Sequence, residues 1–262
     1  MCGIAGYSLK HCSEIDRTLA AQALLAGIAE RGADAVGYAY RSAGERVQVH
    51  KRQTGASALL TELTLPEESI EVLVHVRDYT KGHPTISANN HPVRHGRVVG
   101  VHNGIILNDE EIFDRHGFER DDPSMTVDTE AIFALVESLG ANRETLEELH
   151  GSMATAWFDE RQRGSVYLAR GVGRPLWLGE GEEGIFFAST KHALEVLERF
   201  LELRLKKREV EEGTLLRVAA GRVEDRVRFR PERGFTERPL PAVRAPGERE
   251  SCLRLLTALA SI

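Results

Sequence analysis

The stretch M-C-G-I-A-G at residues 1–6 places a cysteine directly after the initiator methionine. If Met1 is removed, Cys2 carries a thiol nucleophile and a free α-amine, and such an amine can act as general base for its own side chain. Ordinary pKa values are about 7.7–8.0 for an α-amine and about 8.5 for a thiol, so both groups are near their working range at neutral pH. The alternative interpretation is a buried first strand in which Cys2 is only a small hydrophobic residue.

The composition of the chain is that of a globular protein. Its 262 residues, 42% of them hydrophobic and 28% charged, fit one large domain or one domain with an appendage. A formal net charge of −6 argues against a nucleic-acid or anionic-membrane partner. No apolar run approaches the ~18 residues that a membrane span needs, and no secretory signal follows Met1. The sequence therefore predicts a cytoplasmic protein that binds neither nucleic acid nor a membrane.

The cysteines and histidines give no sign of a metal or disulfide framework. Three cysteines with no paired motif (Cys2, Cys12 and Cys252) match no disulfide scaffold or zinc knuckle. The four histidines at 83, 91, 95 and 102 match no zinc-ligand spacing, and G-V-G-R-P at 171–175 lacks the residues of a phosphate-binding loop. We expect no metal and no cofactor.

Hydrophobic patterning predicts a mixture of helices and short strands. Residues 71–77, E-V-L-V-H-V-R, are the strongest strand signal in the first half, and a strand at 97–101 runs into His102-Asn103-Gly104. The second half has many short strands joined by tight polar turns, which points to antiparallel pairing. The predicted helices are 16–30, 109–116, 128–139, 143–149 and 190–199.

The last part of the chain changes character. Residues 230–250 hold four of the nine prolines and many arginines, which predicts a semi-rigid linker. The linker follows a domain at 2–229 and precedes a short amphipathic helix at 251–262. That helix could dock on the core or on another chain.

Several polar residues are candidates for binding and catalysis. Arg77, at the end of a predicted strand, can bind a carboxylate in bidentate geometry, although a structural salt bridge is the alternative. Asn103 offers an amide donor and Gly104 an unhindered N–H, a pair that can form an oxyanion hole. The usual meaning of Asn-Gly is a hairpin turn, but the helical pattern from Asp109 argues against a hairpin here. Asp128 could cap a helix or bind an ammonium group.

Taken in this order, these stretches resemble the class II glutamine amidotransferases, which are N-terminal-nucleophile hydrolases, and most of all the glutaminase domain of glucosamine-6-phosphate synthases. The resemblance covers about residues 2–229. The matching stretches are C-G-I-A-G-Y at 2–7, R-G-A-D-A-V-G at 31–37, H-V-R-D-Y-T-K-G at 75–82, N-N-H-P-V at 89–93, V-H-N-G-I-I-L-N at 101–108, D-T-E at 128–130, G-S-M-A-T-A-W at 151–157, A-R-G-V-G-R-P-L at 169–176, F-A-S-T-K-H-A-L at 187–194 and E-V-E-E-G-T-L at 209–215.

The resemblance implies an α+β fold, a four-layer αββα sandwich with two antiparallel sheets between helical layers. It also implies a reaction. Cys2 attacks the side-chain amide of L-glutamine while its α-amine moves the proton, and Asn103 and Gly104 stabilise the oxyanion. Ammonia leaves, and water releases glutamate from a γ-glutamyl thioester on Cys2. The loop at 77–92 is expected to close over the substrate.

The same resemblance assigns the substrate clamps. Arg77 and Thr80 would hold the α-carboxylate of glutamine, and Asp128 its α-ammonium group. Two positions depart from the family, because tryptophan commonly stands where this chain has Asp78 and histidine where it has Lys81. Lys81 can still reach a carboxylate. The Asp78 side chain would repel one, whereas its backbone carbonyl, which matters to the substrate amide in the family, is unaffected.

Three hypotheses about function follow. The first is a glutaminase that works as the amide-transfer half of an amidotransferase, and its ammonia either passes to an acceptor such as a separate synthase subunit or is itself the product. The second is an N-terminal-nucleophile amidohydrolase for another small amide, which the pairing of Arg77 with Asp128 disfavours. The third is a catalytically silent glutamine-sensing or scaffold domain, which Cys2, Asn103 and Gly104 disfavour.

Overall fold

A computed structural model describes residues 1–41, 46–237 and 241–261. Residues 238–240 of the predicted linker and residue 262 of the predicted C-terminal helix therefore lie outside the described residues. Among the helices in the described ranges, none combines the length and the apolar character that a membrane crossing requires.

The N-terminal strand β1 (Gly3–Leu9) is the middle strand of a seven-stranded sheet, and all seven of its residues are buried. A second sheet covers one face of β1 and helices cover the other, which explains why its sequence is apolar or small on both faces. The strand order in this sheet is β11 (Lys206–Glu209), β9 (Trp177–Glu180), β10 (Gly184–Ala188), β1, β4 (Glu71–Arg77), β2 (Ala35–Arg41) and β3 (Val47–Arg52).

The second sheet has six strands, and the strand ladders of both sheets are antiparallel. Its order is β13 (Arg222–Arg228), β12 (Thr214–Ala219), β8 (Ser165–Arg170), β7 (Gly151–Asp159), β6 (Val98–Ile106) and β5 (Val93–His95).

Strand β6 is longer than the sequence predicted. The predicted end at residue 101 is wrong, because the ladder with β7 continues through Asn103, opposite Ala154, and Gly104, opposite Met153. Asn103 and Gly104 therefore belong to a strand and not to a turn after it.

Helices cover the outer faces of both sheets. On the first sheet lie α1 (Arg17–Ile28), α2 (Ala56–Leu60), α6 (Lys191–Leu201) and α7 (Pro246–Leu259), and on the second lie α3 (Asp109–His116), α4 (Thr129–Leu139) and α5 (Arg143–Glu147). One apolar cluster fills the space between the sheets, and one lies under each helical layer. The predicted αββα sandwich is confirmed.

The last helix, α7, begins at Pro246, earlier than the predicted start at 251. Proline suits the first turn of a helix because the N–H that it lacks has no partner there. The helix packs against α1 and α2, where Cys252 and Leu256 are fully buried. In this structure the C-terminal segment lies on the core of its own chain.

Candidate active site

Cys2 lies directly before β1, and the strand register brings it to the end of β4. Gly3 pairs with Val76 in the antiparallel ladder, so the residue before Gly3 lies beside those that follow Val76. The Cys2 thiol donates a hydrogen bond to the backbone carbonyl of Asp78, with 3.4 Å between sulfur and oxygen. Burial raises the pKa of this thiol, while the Asp78 carbonyl contact and the charge of Arg77 lower it. A thiol held in its neutral form needs a base before it can attack.

The R-G-A-D stretch at 31–34, part of one of the matching stretches, supports this arrangement. The Arg31 side chain donates from Nε to the Cys2 carbonyl at 2.8 Å. Gly32 passes so close to β4 that an added Cβ would be 2.3 Å from the carbonyl oxygen of Arg77. The Asp34 carboxylate accepts from the backbone N–H of Tyr79 at 2.9 Å. These contacts fix the start of the loop after β4 against the nucleophile strand.

Asn103 lies on β6, which packs across the sandwich from β1 and β4. Its side chain is buried, and neither its nitrogen nor its oxygen bonds to any residue that the structure describes. A buried polar group without a partner costs about 1–3 kcal/mol of stability. The arrangement leaves an amide donor free on the sheet that faces the nucleophile strand.

Gly104 has a φ of +150°. A Cβ at this position would lie 1.9 Å from the carbonyl oxygen of Ser152 on the neighbouring strand. Only glycine fits this close approach, because a Cβ would also lie 2.6 Å from Nε2 of His102.

Arg77 is buried at the end of β4, and its guanidinium holds the loop that follows. Nη1 donates to the Asn90 side-chain oxygen at 2.6 Å, and Nη2 donates to the carbonyls of Lys81 and Gly82. No carboxylate in the described ranges forms an ion pair with Arg77. The alternative of a structural salt bridge is therefore wrong within that part of the chain, and a buried cation without an anionic partner suits a bound carboxylate.

Asp128 occupies the N-cap position of α4, but its backbone is helical and its side chain caps nothing. The predicted capping role is wrong, because the carboxylate instead accepts from the Ile106 N–H at 2.7 Å. Burial, and then the charge of Asp109, raise the pKa of Asp128 to about 6. The negative charge of Asp128 also acts on Arg77. An anion and a cation thus lie within electrostatic reach at one end of the sandwich.

Thr80 and Lys81, two of the predicted substrate contacts, are less well placed to bind a substrate carboxylate than Arg77 is. Thr80 is exposed on the loop. The Lys81 ammonium group is held by the Asp109 carboxylate, at 2.7 and 2.9 Å, and by Glu110 at 3.1 Å. The Lys81 side chain therefore forms ion pairs with two residues of α3 and points to that helix in this structure.

A group of buried histidines lies beneath these residues, and the sequence did not single it out. The rings of His75 and His91 stack at 4.2 Å, and His75 Nε2 is 3.2 Å from the carbonyl oxygen of His102. His91 and His102 each lie 3.0 Å from the hydroxyl of Thr129. Burial lowers the pKa of His75 and of His102 to about 3. These neutral rings connect β4, β6 and α4 directly beside Asn103. The sequence feature that could have indicated this group is the histidine in each of three matching stretches, at 75–82, 89–93 and 101–108.

The αββα sandwich, with a cysteine entering its central strand next to the chain terminus, defines the N-terminal-nucleophile class of folds. A family described as "Glutamine amidotransferase domain" matches residues 79–196. Glutamine–fructose-6-phosphate aminotransferase (isomerizing) of Helicobacter pylori is 34% identical over 212 residues, which are 74% of this chain and 33% of that protein. The enzyme of the same name from Bacillus licheniformis is 30% identical over 220 residues, 79% of this chain and 35% of that protein. These matches show that the chain contains a class II glutamine amidotransferase domain.

Solved structures support the fold. Glutamine phosphoribosylpyrophosphate amidotransferase from B. subtilis has a TM-score of 0.66 at 20% identity, over 87% of this chain and 49% of that one. A glutamine aminotransferase class-II domain protein from Silicibacter pomeroyi has a TM-score of 0.57 at 17% identity, over 88% of this chain and 100% of that one. At these identities the likeness concerns the fold alone. The chain spans about a third of the length of the curated relatives it matches.

Proposed function

We propose that this chain hydrolyses the side-chain amide of L-glutamine to glutamate and ammonia through a thioester on Cys2. The observation that carries the proposal is the position of the Cys2 thiol, which bonds to the Asp78 carbonyl beside the buried cation Arg77. The match to the amidotransferase domain supports glutamine as the substrate.

In the proposed reaction, removal of Met1 frees the α-amine of Cys2. The amine takes the thiol proton as sulfur attacks the amide carbon, and the Asn103 side chain and the Gly104 N–H stabilise the oxyanion. The protonated amine then gives its proton to the leaving nitrogen, and ammonia departs. Water attacks the thioester, its proton passes to the amine, and the thiol is restored as glutamate leaves.

Arg77 and Thr80 are proposed to hold the α-carboxylate, with Asp128 holding the α-ammonium group. For this, Arg77 exchanges some of its bonds to the Lys81 and Gly82 carbonyls for bonds to the substrate. The Asp78 carbonyl, which accepts from the Cys2 thiol in this structure, would accept from the substrate amide. Lys81 is assigned to the loop, because two carboxylates already hold its ammonium group.

We further propose that the ammonia passes to a synthase domain or a separate synthase subunit and that the chain works in the cytoplasm. The curated relatives are named as aminotransferases, and about two thirds of their length lies outside the match.

A catalytically silent glutamine-sensing domain is the alternative, and it applies to a mature chain that keeps Met1. The ammonium group of Met1 contacts the Asp78 carboxylate. While Met1 remains in place, the nitrogen of Cys2 is part of a peptide bond and cannot act as a base.

The test combines intact mass with glutamate and ammonia release from glutamine. The wild type is expected to lack Met1 and to release both products in equal amounts, whereas Cys2→Ala releases neither. Cys12→Ala is the matched control, because Cys12 is an exposed thiol elsewhere on the surface. Retention of Met1, or equal activity of Cys2→Ala and the wild type, contradicts the mechanism.

A further inference from the structure

The segment that leads into α7 is fixed beside the nucleophile. The backbone N–H groups of Arg244 and Ala245 both donate to the Glu30 carbonyl, at 2.8 and 2.9 Å. Arg249 in α7 donates to the Glu30 carboxylate at 2.7 Å. Glu30 directly precedes Arg31, whose side chain holds the Cys2 carbonyl. The C-terminal segment is therefore attached to the same turn that positions Cys2.

This attachment brings a second charge to Asp78. Arg244 Nε lies 3.3 Å from Oδ2 of Asp78, the oxygen that also contacts the N-terminal ammonium group of Met1. The Asp78 side chain is 10% exposed and that of Arg244 is 44% exposed. One carboxylate thus joins the N-terminus and the C-terminal segment.

From this geometry we propose that Asp78 and Arg244 are positioning residues that set the charge state of the Cys2 α-amine. The inference rests on the proposed function, in which that amine is the base. Removal of Met1 moves the terminal nitrogen by one residue, about 3.8 Å between neighbouring Cα atoms, and Cys2 already touches Asp78 through its thiol. The amine of the processed chain therefore lies close enough to the Asp78 carboxylate for the negative charge to affect the pKa of the amine.

The two charges act on the amine in opposite directions. The Asp78 carboxylate alone stabilises the ammonium form, which cannot accept the thiol proton. Arg244 neutralises that carboxylate, so more of the amine is free as base at neutral pH. Of the other charges around Cys2, Arg31 and Arg77 are held by bonds to backbone or amide groups, and Asp34 accepts from the Tyr79 N–H. These charges remain the same when Arg244 is changed.

The experiment measures kcat against pH at saturating glutamine, because kcat reports groups in the substrate complex. In that complex the substrate ammonium keeps Asp128 ionised. The fall of kcat on the acidic side of the profile, the acidic limb, therefore reports the pKa of the Cys2 α-amine. Arg244→Ala should move this limb upward by about 0.3–0.7 pH unit, the size expected for a partly exposed ion pair. Asp78→Asn should move it downward by a similar amount, and Arg244→Lys should leave it near the wild-type position.

Arg254→Ala is the matched control, since it removes one positive charge from an exposed position of α7 and should not move the limb. The inference is overturned if Arg244→Ala shifts the limb no more than Arg254→Ala, or if Arg244→Ala and Asp78→Asn shift it in the same direction. A wild type that releases no glutamate contradicts the proposed function instead. The amine is then titrated by its rate of acetylation with acetic anhydride against pH in the Cys2→Ala background, where no thiol can pass an acetyl group to the amine, with the same shifts expected in the N-terminal peptide.

Discussion

The Asn103 carboxamide is buried on β6, and neither of its polar atoms bonds to a described residue. If it serves as an oxyanion donor, Asn103→Leu should lower kcat by about 10²–10³-fold and change KM by only a few-fold. Because an apolar side chain of similar size removes an unpaired amide, the free energy of unfolding should stay equal or rise. Glutamate release and urea unfolding of the same preparation measure both.

The control for Asn103 is Thr155→Val on the neighbouring strand. The Thr155 hydroxyl donates to the Val101 carbonyl at 2.9 Å, so its loss should lower stability by about 1 kcal/mol and leave kcat near the wild-type value. If Asn103→Leu were strongly destabilised while it kept its kcat, Asn103 would be a structural residue.

Asp128 should make glutamine binding depend on pH. Its pKa of about 6 means that the carboxyl group takes up a proton as the pH falls through 6 and can no longer hold an ammonium group by charge. The wild-type kcat/KM should therefore fall below about pH 6. Asp128→Asn should raise KM by about 10–100-fold, the value of a hydrogen bond to a charged group, and lose that pH dependence. A steady-state profile from pH 5 to 8 is the measurement.

The raised pKa of Asp128 also affects the stability of the fold, and this effect tests whether the carboxylate has a structural role. A carboxyl group whose pKa is raised by folding stabilises the fold only at low pH, and its ionisation above about pH 6 opposes folding. Asparagine can still accept from the Ile106 N–H. Asp128→Asn should therefore be at least as stable as the wild type at pH 8, and a clear loss of stability there would mean that the carboxylate has a structural role.

Among the secondary-structure elements, the sequence predicted those strands and helices whose own residues carry a clear hydrophobic pattern. The strand Glu71–Arg77 and the helix Asp109–His116 have the bounds that the sequence predicted. The short helix α2 was missed because it has only five residues, although Ala56, Leu59 and Leu60 have helical spacing. The edge strand β11, K-K-R-E, was missed because it has no apolar residue. The end of β6 was missed because its last residues pair with β7, a contact that no local pattern records.

The helix α7 offers a test of whether the C-terminal segment is part of the fold. Leu256 is fully buried against the helical layer of the first sheet, whereas the next residue, Thr257, is exposed. Leu256→Ala should lower the free energy of unfolding by about 2–5 kcal/mol, the usual result for a buried leucine, and Thr257→Ala should change it by less than about 0.5 kcal/mol. Equal effects in denaturant unfolding would show that α7 does not pack as described.

Across the whole molecule, the sequence predicted the sandwich and the order of the catalytic stretches. It did not predict the contacts of the loop at 77–92 or those of the C-terminal segment that leads into α7. Cys2 and Asn103 could be predicted from the sequence because each lies in a short motif. The bond between Arg77 and Asn90, and the ion pair of Asp78 with Arg244, join segments that are distant in the chain. Such contacts depend on how two sheets and a C-terminal segment pack, and no short-range pattern encodes that packing.

The three buried histidines should make the whole fold sensitive to acid. Burial holds His75 and His102 at a pKa of about 3 and that of His91 well below its usual value, whereas in the unfolded chain all three take up protons below about pH 6.5. Their contribution to stability is thus complete above pH 6.5 and falls as the pH decreases. Each histidine lowers the free energy of unfolding by about 1.4 kcal/mol per pH unit in that range.

Asp128 acts in the opposite direction between about pH 6 and 4, since the folded state takes up a proton there. The net loss should therefore be about 2–3 kcal/mol per pH unit, against a total stability of about 5–15 kcal/mol for a typical domain. Urea midpoints at pH 7, 6 and 5 measure this loss, and His192→Gln, a change at an exposed histidine, should leave the slope unchanged. A midpoint that stays constant over this range would mean that the buried rings are already protonated in the fold. Their contacts with Thr129 and with the His102 carbonyl could then not be those of neutral imidazoles.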